Sequence, residues 1–115
     1  MAIKKTVQKD EYIIREGEIS GNLFWLQTGQ LVVLKRKGIE EVQLGHIYAG
    51  ELVGEMSFLD GEPRSASVKA LTECDLIEIP RDVFDKVFIG QPTWFQGLVK
   101  TLTERLRKTN AKVKI

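Results

Sequence analysis

The segment NLFWLQTGQLVVLKRKG, Asn22–Gly38, contains two apolar runs separated by Thr-Gly-Gln. In an extended chain, successive side chains point to opposite faces. The second run divides into Leu31, Val33 and Lys35 on one face and Val32, Leu34 and Arg36 on the other. Glycine between two β-prone runs is typical of a tight turn. The segment therefore predicts two strands joined at Gly29.

Similar short runs lie on both sides of this segment. They are YIIREGE (12–18), IEEVQLGHIYAGE (39–51), ELV (51–53), SASVKAL (65–71) and CDLIEIP (74–80). Glycines separate the runs at short intervals, at Gly17, Gly21, Gly29, Gly38, Gly45, Gly50 and Gly61. Many short strands with frequent glycine turns are typical of a barrel or jelly roll. We therefore predict a mainly β fold, an antiparallel β-roll or jelly roll, over residues 1–80.

The pattern becomes helical after Pro80 and predicts helices over about 81–88 and 91–110. The second segment carries an apolar stripe at spacings of three, four and seven residues. Its members are Phe95, Leu98, Val99, Leu102, Leu106 and Val113. This stripe could pack on the β-roll or pair with a second copy of the chain. Because the helix is longer than a small barrel can cover, we expect its distal half to form a homodimer.

The composition describes one globular domain over residues 1–115. The chain is 43% hydrophobic and 29% charged, with a net charge of +1. This balance argues against a general nucleic-acid or membrane coat. A single cysteine, Cys74, cannot form an internal disulfide, and the N-terminus has no apolar signal core. We expect a soluble, cytoplasmic protein that makes no direct contact with DNA or membrane.

The segment GEMSFLDGEPRSAS, Gly54–Ser67, places a Gly-Glu pair ten residues before Arg64. A glycine at a helix start lets an anion approach free backbone N–H groups. Arg64 adds a planar donor that matches phosphate oxygens, and Ser65 adds a hydroxyl. Glu55 would repel phosphate but could accept a hydrogen bond from a sugar hydroxyl. These residues fit a phosphorylated sugar better than bare phosphate, although a surface ion pair between Glu55 and Arg64 is the simpler alternative.

Three segments resemble the cyclic nucleotide-binding domain family, in its catabolite activator protein-like effector form. GELVGEMSFLDGEPRSASVKAL (50–71) is similar to the family's phosphate-binding cassette, while EYIIREGEISGNLFWLQTGQLVVLK (11–35) and CDLIEIPRDVFDKVF (74–88) resemble its opening strands and its closing strand with the next helix. The resemblance implies a cassette turn made of Gly54, Glu55, Met56 and Ser57. It also implies that Glu55 binds the ribose 2′-OH and that Arg64 binds the cyclic phosphate beside Ser65.

The final helix also resembles the family, in RLRKTN (105–110). The resemblance implies that Arg105 lies near the ribose-binding glutamate and that Thr109 and Asn110 contact the base, the latter across a dimer. Asn110 departs from the serine of that pattern, although its amide can donate and accept hydrogen bonds. This end of the helix favours cAMP over cGMP. The implied function is a stand-alone regulatory module in which ligand binding moves the helix and changes what an effector protein can dock on.

Other functions have less support from the residue types. A cupin enzyme needs several histidines for its metal, and His46 is the only one. A Cys74–His46 nucleophile pair is conceivable, but a cysteine within a strand is more often a buried core residue. We therefore expect no enzyme activity, no metal and no cofactor. The main alternative is a ligand-blind dimerisation or scaffold module that retains the fold.

Overall fold

The chain folds into antiparallel strands followed by two helices. The computed structural model describes residues 2–55, 58 and 61–109, except the side chains at positions 107 and 109. The strands are β1 (Ile3–Val7), β2 (Tyr12–Ile14), β3 (Leu23–Thr28), β4 (Gln30–Lys37), β5 (Glu40–Tyr48), β6 (Leu52–Val53), β7 (Ser67–Ala70) and β8 (Cys74–Ile79). The helices are α1 (Arg81–Ile89) and α2 (Thr93–Thr109).

The strands form two four-stranded sheets that pack face to face. One sheet has the order β1-β8-β3-β6 and the other β2-β7-β4-β5. Every pairing is antiparallel. The core between the sheets includes Ile14, Phe24, Leu26, Leu31, Val33, Ile47, Val53, Val68 and Leu76. This architecture confirms the predicted mainly β fold with C-terminal helices.

The turn at Gly29 joins β3 to β4, as the sequence predicts. Gly29 has φ +95, a backbone conformation that L side chains rarely adopt. A Cβ at this position would lie 2.6 Å from both Cys74 Sγ and the Glu73 carbonyl oxygen. Cys74 itself is a free, buried thiol. The glycine is therefore needed both for its φ and for the close approach of β8.

Strand β1 is present in the structure, although the amino-acid sequence did not predict it. All its residues but Val7 are exposed, so its side chains show no inward-facing apolar pattern. It nevertheless pairs with β8 from Ile3↔Glu78 to Val7↔Cys74. A strand held by backbone pairing to a distant segment leaves little local signal in the sequence.

The helices lie at the end of the chain, and α1 is joined to the segment after β6 by aromatic contacts. The Phe84 ring meets the Phe58 ring edge-on at 4.9 Å, and the Arg81 guanidinium lies 4.6 Å from the Phe58 ring centroid. Phe58 is buried, with 1% of its surface exposed. Helix α2 begins at Thr93 rather than 91 and keeps Trp94, Phe95, Leu98 and Leu102 exposed. Among the residues described, neither helix has the length and apolar character that a membrane crossing requires.

Candidate ligand-binding site

Gly54 follows β6 directly and has a backbone conformation that favours glycine. Its φ is +89, and a Cβ would lie 2.6 Å from Arg64 Nη1. The sequence predicts that a missing side chain here admits an anion. In the structure, the space beside the glycine is occupied by the guanidinium of Arg64. Gly54 therefore brings the backbone of the cassette into direct contact with the arginine.

Arg64 is a buried cation, with 1% of its surface exposed. Its Nη1 donates to the Gly54 carbonyl oxygen at 2.9 Å, and its Nη2 donates to the Asn22 carbonyl oxygen at 2.6 Å. Its backbone N–H donates to the Glu18 carbonyl at 2.9 Å, and its own carbonyl accepts from the Gly17 N–H at 2.7 Å. Both the main chain and the terminal nitrogens of Arg64 are therefore fixed by backbone groups.

Two charged side chains keep one unpaired polar atom each at this site. In the described part of the chain, the buried side-chain nitrogen and oxygen atoms without a hydrogen-bond partner are Glu55 Oε2 and Arg64 Nε. Buried polar groups in folded proteins are nearly always hydrogen-bonded, so such atoms require an explanation. The two residues also attract each other electrostatically. The sequence alternative of a surface ion pair is wrong, because Arg64 is fully buried and Glu55 is half-buried.

Burial shifts the pKa values of Glu55 and Arg64 in opposite directions, because it disfavours the charged form of each residue. Burial raises the pKa of Glu55, while the hydrogen bond from its own backbone N–H and the charge of Arg64 act against this. Burial lowers the pKa of Arg64, and the charges of Glu18 and Glu55 act against it. Each charged form is thus incompletely compensated, and an added partner of suitable charge or hydrogen-bonding capacity would stabilise it.

A second cation, Lys35 of β4, lies beside the cassette. Lys35 Nζ donates to the Ser65 carbonyl oxygen at 2.5 Å and forms an ion pair with Glu16 Oε2 at 3.2 Å. Ser65 is half-buried, directly after Arg64. The amino-acid sequence does not predict this placement of Lys35, because its position on β4 indicates a face of the strand but no partner.

The other predicted site residues are only partly covered by the structure. Gly54, Glu55 and Arg64 are brought together, with Ser65 next in the chain. Met56, Ser57 and Asn110, together with the side chain of Thr109, lie outside the described residues. Arg105 is exposed on α2, and its approach to the ribose-binding glutamate stays a prediction. No group of three or more histidine, cysteine or acidic residues placed to hold a metal occurs among the residues described.

The amino-acid sequence did not predict the contacts that connect Asn22, a partner of Arg64, to Glu78 and Lys5. Asn22, whose carbonyl accepts from Arg64, donates from its side-chain Nδ2 to Glu78 Oε2. Glu78 Oε1 is paired with Lys5 Nζ at 2.7 Å. Lys5 and Glu78 lie on different strands near opposite ends of the β-roll sequence, so no local pattern could have joined them.

A cavity of about 450 Å³ lies beside this contact, away from the cassette turn. Lys5, Glu18 and Glu78 line it, and Phe24 and Leu76 form part of its apolar wall. Gly54, Glu55 and Arg64 are not among its lining residues. The candidate ligand site is therefore defined by the unpaired atoms of the cassette and not by this cavity.

The fold and the cassette define a β-roll in which a buried arginine and a glutamate meet at a glycine turn. Residues 4–90 match the family model described as "Cyclic nucleotide-binding domain". This chain belongs to the cyclic nucleotide-binding domain family.

Similar proteins include regulators from bacteria and a eukaryote. The chain is 31% identical over 103 residues to the cAMP-activated global transcriptional regulator CRP of Salmonella typhimurium, a match that covers 88% of this chain and 49% of that protein. The chain thus spans about half the length of that regulator. The regulatory domain of Toxoplasma gondii PKA, solved with cAMP, is 32% identical with a TM-score of 0.71, covering 74% of this chain and 33% of that one.

A third relative has been solved with two different nucleotides. The EAL enzyme Bd1971 matches with TM-scores of 0.75 in its cAMP-bound form and 0.74 in its cGMP-bound form, at 28% and 29% identity. Both matches cover 95% of this chain, and they cover 29% and 30% of the respective Bd1971 chains. In these two forms, the matched part is less than a third of the solved chain.

Proposed function

We propose that this domain binds a cyclic nucleotide, cAMP in preference to cGMP, without changing it chemically. The observation that carries the proposal is the pair of unpaired buried atoms, Arg64 Nε and Glu55 Oε2. One is a cationic donor suited to a phosphate oxygen, and the other is an acceptor suited to a ribose hydroxyl. In a 3′,5′-cyclic nucleotide these two groups occur on one small ligand. The relatives solved with cAMP or cGMP support this class of ligand.

The proposed mechanism is a population shift between two arrangements of the C-terminal helix. Ligand phosphate engages Arg64, and the base engages the end of α2 near Thr109 and Asn110. The ligand thereby favours one helix position, which an effector protein recognises. Coupling between two such sites is typically worth about 1–3 kcal/mol.

Titration calorimetry with cAMP and with cGMP tests the binding directly. We expect saturable heat with cAMP and weaker binding of cGMP. Arg64→Ala should weaken cAMP binding about tenfold or more, because a hydrogen bond to a charged group contributes about 1.5–3 kcal/mol. Arg36→Ala removes the same charge from an exposed position on β4 and serves as the matched control.

Two results would contradict the proposal. Absence of heat with either nucleotide, at protein concentrations that keep the chain folded, would favour the scaffold alternative. Equal cAMP affinity in Arg64→Ala and Arg36→Ala would remove the phosphate role of Arg64. A thermal melt of each variant separates loss of binding from loss of the fold.

The scaffold alternative has its own supporting observation. Helix α2 exposes Trp94, Phe95, Leu98 and Leu102, with exposed fractions of 70%, 36%, 47% and 54%. An apolar surface of this kind commonly marks a protein interaction site. We propose that a second copy of the chain covers it, so that dimerisation accompanies ligand binding in the main proposal and replaces it in the alternative.

A further inference from the structure

A series of polar contacts connects Arg64 to the first strand of the protein. Arg64 Nη2 donates to the Asn22 carbonyl oxygen at 2.6 Å. The Asn22 side chain donates to one oxygen of Glu78, and Lys5 of β1 is paired with the other oxygen at 2.7 Å. We call Lys5, Glu78 and Asn22 the β1 brace. It joins the candidate site to a strand that the sequence did not predict.

The register of the sheet explains why these residues meet. Strand β8 lies between β1 and β3. Glu78 pairs with Ile3 on β1 and with Phe24 on β3. Lys5 is therefore the diagonal neighbour of Glu78 on one side, and such neighbours are within reach of long side chains. Asn22 lies two residues before Phe24, on the other side.

Glu78 is a rigid member of the brace because both of its oxygens are held. Only 9% of Glu78 is exposed. Burial alone would raise the pKa of its carboxyl group, but the hydrogen bonds with Lys5 and Asn22 and the charge of Lys5 outweigh burial and lower it. The carboxylate stays ionised at neutral pH. A buried carboxylate that is paired and hydrogen-bonded is costly to displace, so it fixes the groups that it contacts.

The brace bears on Arg64 through one of the two carbonyl groups that hold its guanidinium, the carbonyl of Asn22. The Gly54 carbonyl accepts a hydrogen bond from Arg64 Nη1, and the Asn22 carbonyl accepts one from Arg64 Nη2. The third nitrogen, Nε, has no hydrogen-bond partner. A guanidinium is planar, so two fixed acceptors determine where the third nitrogen points. The Gly54 carbonyl belongs to the cassette itself. The position of the Asn22 carbonyl depends on the side chain of the same residue, and hence on Glu78.

We propose that Glu78, held by Lys5 of β1, is a positioning residue that acts through Asn22 to orient Arg64 toward the anionic part of the ligand. The inference rests on the proposed function for its ligand. Glu78 touches no ligand in this proposal. Its effect on affinity should therefore disappear when Arg64 is absent.

The first test is a double-mutant cycle measured by cAMP titration. Glu78→Gln keeps the shape but replaces one accepting oxygen with an NH₂ group facing a donor, since Lys5 and Asn22 both donate. It should weaken cAMP binding about tenfold, a coupling of ordinary size between contacting residues. Glu73→Gln is the control, because Glu73 is exposed and accepts from Gln8 without contacting Asn22. In an Arg64→Lys background, Glu78→Gln should cause no comparable loss.

A second pair of variants covers the case in which Glu78→Gln fails to fold. Lys5→Ala removes the exposed end of the brace, and Lys4→Ala removes the neighbouring charge from the same strand. We expect Lys5→Ala to weaken cAMP binding severalfold and Lys4→Ala to leave it unchanged. Equal effects of the two lysine variants, or a Glu78→Gln loss that persists undiminished in the Arg64→Lys background, would overturn the positioning role.

The NMR signal of the Arg64 Nε–H group, recorded without ligand, separates this inference from the proposed function. Glu78→Gln and Lys5→Ala should shift or broaden that signal, while Glu73→Gln and Lys4→Ala should not. A response of the signal in a protein that binds no cyclic nucleotide would leave the positioning of Arg64 standing and remove only the proposed ligand. An unchanged signal together with unchanged affinity in a protein that does bind cAMP would remove the brace and leave the ligand.

Discussion

Arg64 and Glu55 are two charged residues whose side chains are withdrawn from water without a full set of hydrogen-bond partners. Leaving a buried polar atom without a hydrogen bond costs about 1–3 kcal/mol. The chain carries this cost at two atoms of one cassette, beside a glycine that has a positive φ. Such a concentration is typical of a site that a ligand completes.

Replacing Glu55 with Ala should reveal which part of the ligand it contacts. We expect the variant to weaken cAMP binding about tenfold, because the hydrogen bond from a ribose hydroxyl to a charged acceptor is lost. The loss should be much smaller for 2′-deoxy-cAMP, which lacks that hydroxyl. Calorimetry with both ligands makes the comparison, and Glu40→Ala on exposed β5 is the control. Equal losses for the two ligands would show that Glu55 has no ribose role.

At the scale of elements, α2 has no buried residue among its described side chains. Its apolar stripe predicts a buried face, but Leu98 and Leu102 are about half exposed, while Val99 and Leu106 are only partly covered. Val113, the last predicted member of the stripe, lies outside the described residues. An amphipathic helix gains most of its stability from packing of the apolar face. This face is therefore the surface on which we expect the second copy.

A charge placed in that face should prevent the dimer. We expect Leu102→Asp to give a monomer in sedimentation velocity at concentrations where the parent chain is a dimer, because a desolvated carboxylate is unfavourable in an apolar interface. Thr101→Asp adds the same charge at an adjacent exposed position on the helix and should leave the dimer intact. A dimer that survives Leu102→Asp would place the interface elsewhere.

For the whole molecule, the β1 brace joins the first strand to the end of the roll. Glu78 is a buried acid whose pKa is lowered on balance, since its contacts with Lys5 and Asn22 outweigh burial. A group whose pKa is lowered in the folded state stabilises the fold at pH values above its ordinary pKa, which is 4.5 for Glu78. That contribution is lost as the pH falls through the folded pKa.

Glu78→Gln should therefore flatten the acid side of the stability curve. Between about pH 6 and about pH 3, the free energy of unfolding should fall less steeply in Glu78→Gln than in Glu73→Gln. Urea unfolding at several pH values gives both slopes. Parallel curves for the two variants would show that Glu78 has the same proton affinity in the folded and unfolded chain.

The amino-acid sequence by itself determined the mainly β architecture and the turn at Gly29, and it predicted Gly54, Glu55 and Arg64 as site candidates. These features depend on local chemistry: alternation along a strand, a φ that favours glycine, and charged groups set close together in the chain. Only the tertiary structure decided that β1 is a strand and that Asn22 and Gly54 hold the guanidinium of Arg64. It also decided that Glu78 contacts both Asn22 and Lys5. Such contacts arise from the register of strands that are distant in sequence. A cross-strand pair produces no periodic pattern in the sequence of either strand, so it cannot be predicted from local sequence.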